Sequence, residues 1–144
     1  MTNEETLASV DLFAALDKKE LQLLAKSCQE RSYSAGAAIM AQGDMGVGLY
    51  VLKSGKVRIV QANHPDKAEE VLGTAEPGAV LGEMALLDDL PRSASVIAAE
   101  DSSALLLPVW EFRTTLRKNP DIALKLLAAL SRRLRKAEAR QQGW

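Results

Sequence analysis

The sequence predicts a mainly β domain, a barrel or jelly roll, with helices before and after it. Three observations carry this. Between residues 31 and 108, short apolar and β-branched runs alternate with glycine-bearing turns at close spacing, the pattern of many short strands. Both ends instead repeat their apolar residues every three to four positions, as amphipathic helices do. The 144 residues, 47% hydrophobic and 26% charged, suffice for one folded domain and are too apolar for a disordered chain. The expected division is a single domain over 1–144: helices over 1–30, the barrel over 31–108 and helices over 109–140.

Each element has its own signal. Residues 4–10 can form a short helix, and Asp11 starts another turn carrying Leu12, Phe13 and Leu16. Asp17 with Glu20 three residues on is capping-box spacing, and Leu21, Leu23, Leu24 and Cys28 give that helix its buried stripe. Gly36 punctuates, Ile39 and Met40 begin a strand, and Gln42, Gly43 and Asp44 make a turn. Leu49, Val51, Val57 and Ile59 flank Gly55, which supplies the positive backbone angle of a hairpin. Residues 61–69 are polar, contain Pro65 and read as an exposed loop. Val71 and Leu72 return to strand, Glu76, Pro77 and Gly78 turn, and Val80 and Leu81 follow. Residues 95–98 and 104–107 are two more strands. From Val109, Trp110, Phe112 and Leu116 can pack one side of a helix. Pro120 restarts a helix in the position where its missing N–H costs nothing. Ile122, Leu126, Leu127, Leu130 and Leu134 then form one stripe running to about Ala137.

Composition excludes several functions. The 18 basic and 19 acidic residues give a net charge of −1, against a strongly basic nucleic-acid binder. Charge is uneven: residues 1–110 carry 9 basic and 16 acidic side chains, residues 111–144 carry 9 and 3. The basic run Arg132, Arg133, Arg135, Lys136 and Arg140 lies on one helix without a recognition unit and suits a helix C-terminus. One cysteine allows no internal disulfide, and Cys28 reads as core packing. One histidine, His64 in the polar loop, leaves no histidine metal centre and no base near the rest of the chemistry. Asp88 and Asp89 have no second acidic cluster to hold a metal with them. No metal, no cofactor and no catalytic residue is expected. No apolar run reaches membrane-span length, and the first residues lack a signal peptide's basic start and apolar stretch. A cytoplasmic location is the expectation.

The chemistry is concentrated in residues 82–94, Gly-Glu-Met-Ala-Leu-Leu-Asp-Asp-Leu-Pro-Arg-Ser-Ala. This reads as a short helical turn over about 83–87 between two strands. Gly82 permits close backbone approach, and the start of the turn offers unpaired N–H groups to an anion. Arg92, stiffened by Pro91, can grip a phosphate through two parallel hydrogen bonds. Glu83 would repel a phosphate but would accept a hydrogen bond from a hydroxyl such as a ribose 2′-OH. One anion grip beside one hydroxyl acceptor describes a cyclic nucleotide. The same residues also fit a plain surface turn in which Glu83 and Arg92 pair with each other.

This stretch resembles the phosphate-binding cassette of the cyclic-nucleotide-binding domain family, which includes catabolite-activator-type regulators, the regulatory subunit of cAMP-dependent protein kinase and nucleotide-gated channels. Leu12, Phe13 and Leu16, residues 39–44 and residues 49–57 resemble further family segments in the same order. The resemblance implies an eight-stranded jelly-roll β-barrel with helices before it, one within the cassette and two after. It implies that Glu83 binds the ribose 2′-OH and Arg92 the exocyclic phosphate oxygens. The Ala85 and Ser93 N–H groups and the Ser93 hydroxyl would complete the phosphate shell, with Gly82 and Met84 close by and Ala94 following. Leu72 and Val80 would wall the base, and Arg135 can lie over the purine or stay solvated.

Two departures from the family pattern stand out. Residues 46–48 are Gly-Val-Gly where an acidic or polar residue is common. Ala137 and Glu138 stand where hydroxyl residues contact adenine in the catabolite-activator type. Ser93 resembles that cAMP-responsive type, so cAMP is expected ahead of cGMP. The implied function is a non-enzymatic, allosteric sensor in signal transduction whose C-terminal helix moves on binding. The expected partners are an unidentified protein effector and, in the free state, a second copy of the chain in a weak homodimer. No helix-turn-helix domain is expected after that helix. The alternatives are a jelly-roll interaction domain without nucleotide binding, or the sensor fragment of a larger regulator.

Overall fold

Side-chain caps set the N-terminal helices. The computed structural model describes residues 1–88 and 90–142; the side chains of Ala85 and Gln142 and the predicted role of Asp89 lie outside what it describes. Thr2 and Glu5 form a capping box on α1 (Asn3–Ala8). Asp17 and Glu20 form the predicted one on α2 (Lys18–Ala25), each cap being worth about 1 kcal/mol. Between them Asp11–Phe13 is a single 3-10 turn that buries Leu12 and Phe13.

Eight strands follow: β1 (Gln29–Tyr33), β2 (Ala38–Met40), β3 (Gly48–Ser54), β4 (Val57–Gln61), β5 (Glu70–Ala75), β6 (Val80–Leu81), β7 (Ser95–Ala98) and β8 (Ser102–Pro108). They form two separate four-stranded antiparallel sheets, ordered β1-β8-β3-β6 and β2-β7-β4-β5. The predicted closed eight-stranded barrel is therefore incorrect, although the described residues do form eight strands. β6 pairs only two residues, Tyr50 with Leu81 and Val51 with Val80. Gly82, at φ 72°, then turns the chain out of the sheet. Among the described residues no ladder joins the two sheets. "Mainly β" also fails: helices contribute more residues than strands, α4 (Pro120–Gln142) alone having 23.

The two central strands of the first sheet are buried on both faces. Leu49 and Val51 of β3 and Leu105 and Leu107 of β8 meet the helices, joining Leu7, Phe13, Phe112, Ile122 and Leu126 in one core. Tyr50, Leu52, Ala104 and Leu106, one residue out of phase, meet Met40, Val57 and Val96 of the second sheet. Strand periodicity of two assigns these faces, and burial of both explains why β3 and β8 read as continuous apolar runs. Gly48 has to be glycine for this packing, since a Cβ there would lie 2.1 Å from the Leu107 carbonyl oxygen. Gly55 takes φ 90° in the β3–β4 turn, as predicted.

α3 (Val109–Lys118) and α4 close the helical layer. Phe112 packs on Phe13 with ring centroids 6.3 Å apart and planes at 40°, a tilted aromatic contact. Trp110, predicted to pack, is instead 71% exposed. The predicted single stripe on α4 divides as well. Ile122 and Leu126 are buried, whereas Leu127 and Leu134 are about 60% exposed because they lie about 140° and about 120° around the helix from Ile122. α4 is tied to α2 by Lys125, whose Nζ lies 2.5 Å from Glu20 Oε1 and 4.0 Å from Asp17 Oδ2. Among the described residues no helix is long and apolar enough to cross a membrane.

Candidate functional site

The predicted helical turn is a 3-10 turn at Glu83–Leu86, entered through Gly82 in the left-handed region at φ 72°, ψ 24°. Leu86 anchors it in the helix-side core at 1% exposure. The returning arm, Pro91 to Ser93, is pinned to the turn after β2. Met45 bridges Pro91, Gly43 N–H donates to the Arg92 carbonyl at 2.8 Å, and Arg92 N–H donates to the Asp44 carbonyl at 2.8 Å. The two arms enclose an open cavity of about 370 Å³ lined by Gly82, Glu83, Met84, Asp88, Leu90, Pro91, Arg92 and Ser93. That volume falls in the range of small-molecule pockets.

Arg92 and Glu83 do not pair with each other. Arg92 donates through Nη2 to the Gly48 carbonyl at 2.7 Å and through Nη1 to the Gly82 carbonyl at 3.2 Å. Its guanidinium lies so close over Gly82 that a Cβ there would be 2.1 Å from Nη1. Burial holds the Arg92 pKa below its ordinary value, with nearby Tyr50 and Asp88 acting in the opposite direction. A half-buried cation that donates to neutral carbonyls is poised for an anion. The glycine at position 48, one of the departures from the resembled pattern, thus supplies a carbonyl to the grip.

Glu83 is held by a residue the sequence reading did not single out. Arg133 of α4 donates from Nη1 to Glu83 Oε1 at 2.8 Å and from Nη2 to Oε2 at 3.2 Å. Its Nη2 also reaches Asp11 Oδ2 at 3.5 Å. The hydrogen bond to Glu83 raises the Arg133 pKa. One arginine thereby joins the N-terminal turn, the cassette and the C-terminal helix. The signal was available: Arg133 is seven residues past Leu126 and eleven past Ile122, on the buried face of α4. Arg135 is two positions further, which turns it about 200° away from that face, and it is exposed.

The structure brings Gly82, Glu83, Met84, Arg92 and Ser93 together around the cavity, with Met84 53% exposed and the Ser93 side chain facing solvent. Ala85 sits within the 3-10 turn. Ala94, Leu72, Val80 and Arg135 stand outside the cavity lining. Leu72 is 51% exposed on the edge strand β5, and Val80 packs against the helix-side core. Asp88 caps the loop by accepting from Leu90 N–H at 3.2 Å. Among the described residues no cluster of three His, Cys, Asp or Glu residues could hold a metal. Cys28 is half-buried against the helix-side core, and burial pushes its thiol up to about 12.

Known proteins resemble this chain along most of its length. The model of the cyclic nucleotide-binding domain family matches residues 30–119. The cyclic AMP receptor protein of Thermus thermophilus is 41% identical over 127 residues, covering 88% of this chain and 58% of that protein. The N-terminal domain of a transcriptional regulator from Streptomyces coelicolor A3(2) superposes with a TM-score of 0.85 at 34% identity, covering 94% of each chain. The catabolite activator protein of Thermus thermophilus superposes with a TM-score of 0.70 at 39% identity, covering 92% of this chain and 62% of that one. The chain thus spans about three fifths of the length of the two Thermus proteins. It belongs to the cyclic nucleotide-binding domain family.

Proposed function

We propose that this chain is a non-enzymatic sensor that binds one cyclic mononucleotide, cAMP in preference to cGMP, between the two arms of residues 82–94. The observation that carries the reading is the seating of Arg92: a half-buried guanidinium on two backbone carbonyls, at the wall of a cavity that also presents Glu83. Arg92 pairs with the exocyclic phosphate oxygens, and Glu83 accepts from the ribose 2′-OH. The Ala85 and Ser93 N–H groups and the Ser93 hydroxyl complete the phosphate shell beside Gly82 and Met84. Ser93, and the name of the cyclic AMP receptor protein to which the chain is similar, support cAMP.

The output runs through α4. Arg133 holds Glu83, so a ribose hydroxyl donating to that same carboxylate adds to the contact that ties the helix to the cassette and favours the helix folded against it. Leu72, Val80, Ala94 and Arg135 lie outside the present cavity. Because α4 also grips α2 through Lys125 and the N-terminal turn through Arg133, we assign residues 1–140 to one sensing unit. The outward residues Leu124, Leu127 and Leu134, each about 60% exposed, are the surface we assign to a protein effector or a weak homodimer. The corresponding location is the cytoplasm.

Calorimetric titration with cAMP tests the reading. Arg92→Ala should weaken binding at least tenfold, since loss of a charge-assisted grip costs roughly 2–5 kcal/mol. Arg92→Lys should recover little, because the two-pronged geometry is gone. An Arg92→Ala protein with wild-type affinity would place the ligand elsewhere.

A further inference from the structure

The arm that carries Arg92 and Ser93 is flanked by two glutamines, Gln61 at the end of β4 and Gln42 in the turn after β2. β7 runs between β2 and β4, and its last paired residues toward the cassette are Ser95, opposite Val60, and Val96, opposite Met40. Beyond that point side chains continue the pairing. Gln61 Nε2 donates to the Ser93 carbonyl at 2.8 Å. Gln42 N–H donates to the Ser95 hydroxyl at 2.8 Å. The Gln42 carboxamide also makes both bonds of a peptide pair with Ala62: Nε2 donates to its carbonyl at 2.9 Å, and its N–H donates to Oε1 at 2.8 Å. Since β7 separates β2 from β4, this bridge spans the end of β7 where the chain leaves for the cassette.

These bonds fix peptide planes at the anion grip. With the Arg92 carbonyl bound by Gly43 N–H, the trans peptide turns the Ser93 N–H to the opposite side. Gln61 fixes the next plane through the Ser93 carbonyl. We propose that Gln61, and Gln42 through Ala62, are positioning residues for phosphate recognition. They tie the end of the β4–β5 hairpin to the cassette and hold the Ser93 peptide at the orientation the phosphate needs. This rests on the assignment of residues 82–94 as the cyclic-nucleotide site.

Gln61→Met keeps the side-chain length and charge but removes the donor. Losing one neutral hydrogen bond should weaken cAMP binding about three- to tenfold. A purely structural role would lower affinity for every ligand alike. The discriminating readout is therefore the ratio of affinities for the Rp and Sp phosphorothioate analogues of cAMP, which differ only in which exocyclic position carries sulfur. The ratio should move toward one in Gln61→Met. Wild-type affinity and ratio in the folded variant, or weaker binding with the ratio unchanged, would overturn the proposal. If Gln61→Met does not fold, Gln42→Met, which leaves the Ser93 bond and removes the Ala62 bridge, is judged by the same two criteria. Failure of wild-type protein to bind cAMP would refute the site itself, whereas wild-type binding with an unaffected variant refutes only the role of the glutamines.

Discussion

Gly82→Ala separates the backbone requirement of the cassette from the seating of Arg92. Gly82 sits at φ 72°, ψ 24°, where an alanine costs about 1–2 kcal/mol. Its Cβ would also lie 2.1 Å from Arg92 Nη1 and 2.7 Å from Cζ, so the guanidinium must leave. Leaving breaks the 2.7 Å bond to the Gly48 carbonyl and the 3.2 Å bond to that of Gly82. A hydrogen bond from a charged donor is worth about 1.5–3 kcal/mol, and the lower end applies because a half-buried arginine can turn to water. Gly36→Ala is the control: φ there is 89°, yet nothing lies within 4 Å of the added Cβ. In urea unfolding, Gly82→Ala should be less stable than Gly36→Ala by about 1.5–3 kcal/mol, from partial to full loss of the two bonds at that lower value. It should bind cAMP at least tenfold more weakly, with Gly36→Ala binding as wild type. A Gly82→Ala protein as stable as Gly36→Ala and equal to wild type in affinity would refute the reasoning.

Two further outcomes follow from the electrostatics. A double-mutant cycle of Arg133→Ala and Glu83→Gln should give a coupling of about 0.5–1 kcal/mol that shrinks with added salt, because both side chains are partly exposed, at 31% and 26%; no coupling in urea titrations would remove the link between α4 and the cassette. Cys28, with its thiol raised from 9.0 to about 12 by burial, should be alkylated at pH 8 on the order of a thousandfold more slowly in folded than in urea-unfolded protein. Between pH 9 and 12 the folded state keeps a proton the unfolded state has lost, so stability from this group is complete below that range and declines as pH rises through it.

Local chemistry was legible where a residue determines its own surroundings. Asp17 with Glu20, Pro120 at the start of α4 and Gly55 in its turn each carry a capping or backbone reason that needs no tertiary partner. The cassette was legible because Gly82, Glu83, Arg92 and Ser93 fall within twelve residues. Sheet closure was not, since strand signals count strands without saying which edges meet, and the two-residue β6 leaves its sheet at Gly82. The stripe on α4 misled for a related reason. Spacing of three and four joins Leu126 to Leu130, and Leu130 in turn to Leu127 and Leu134, but only one side of that wide band faces the core. Spacing places Arg133 on the buried face of α4, but the sequence reading took it only as part of a basic run, because its partners are 50 and 122 positions away.

Amide hydrogen exchange of ligand-free protein, with and without saturating cAMP, tests the central claim most directly, because it reads the cassette and α4 together. The account predicts protection concentrated at residues 82–94 and along 120–137, the second following from the Arg133 contact with Glu83. Protection of the cassette with equal exchange across 120–137 would contradict the coupling, and no change in either segment would contradict the binding site as well.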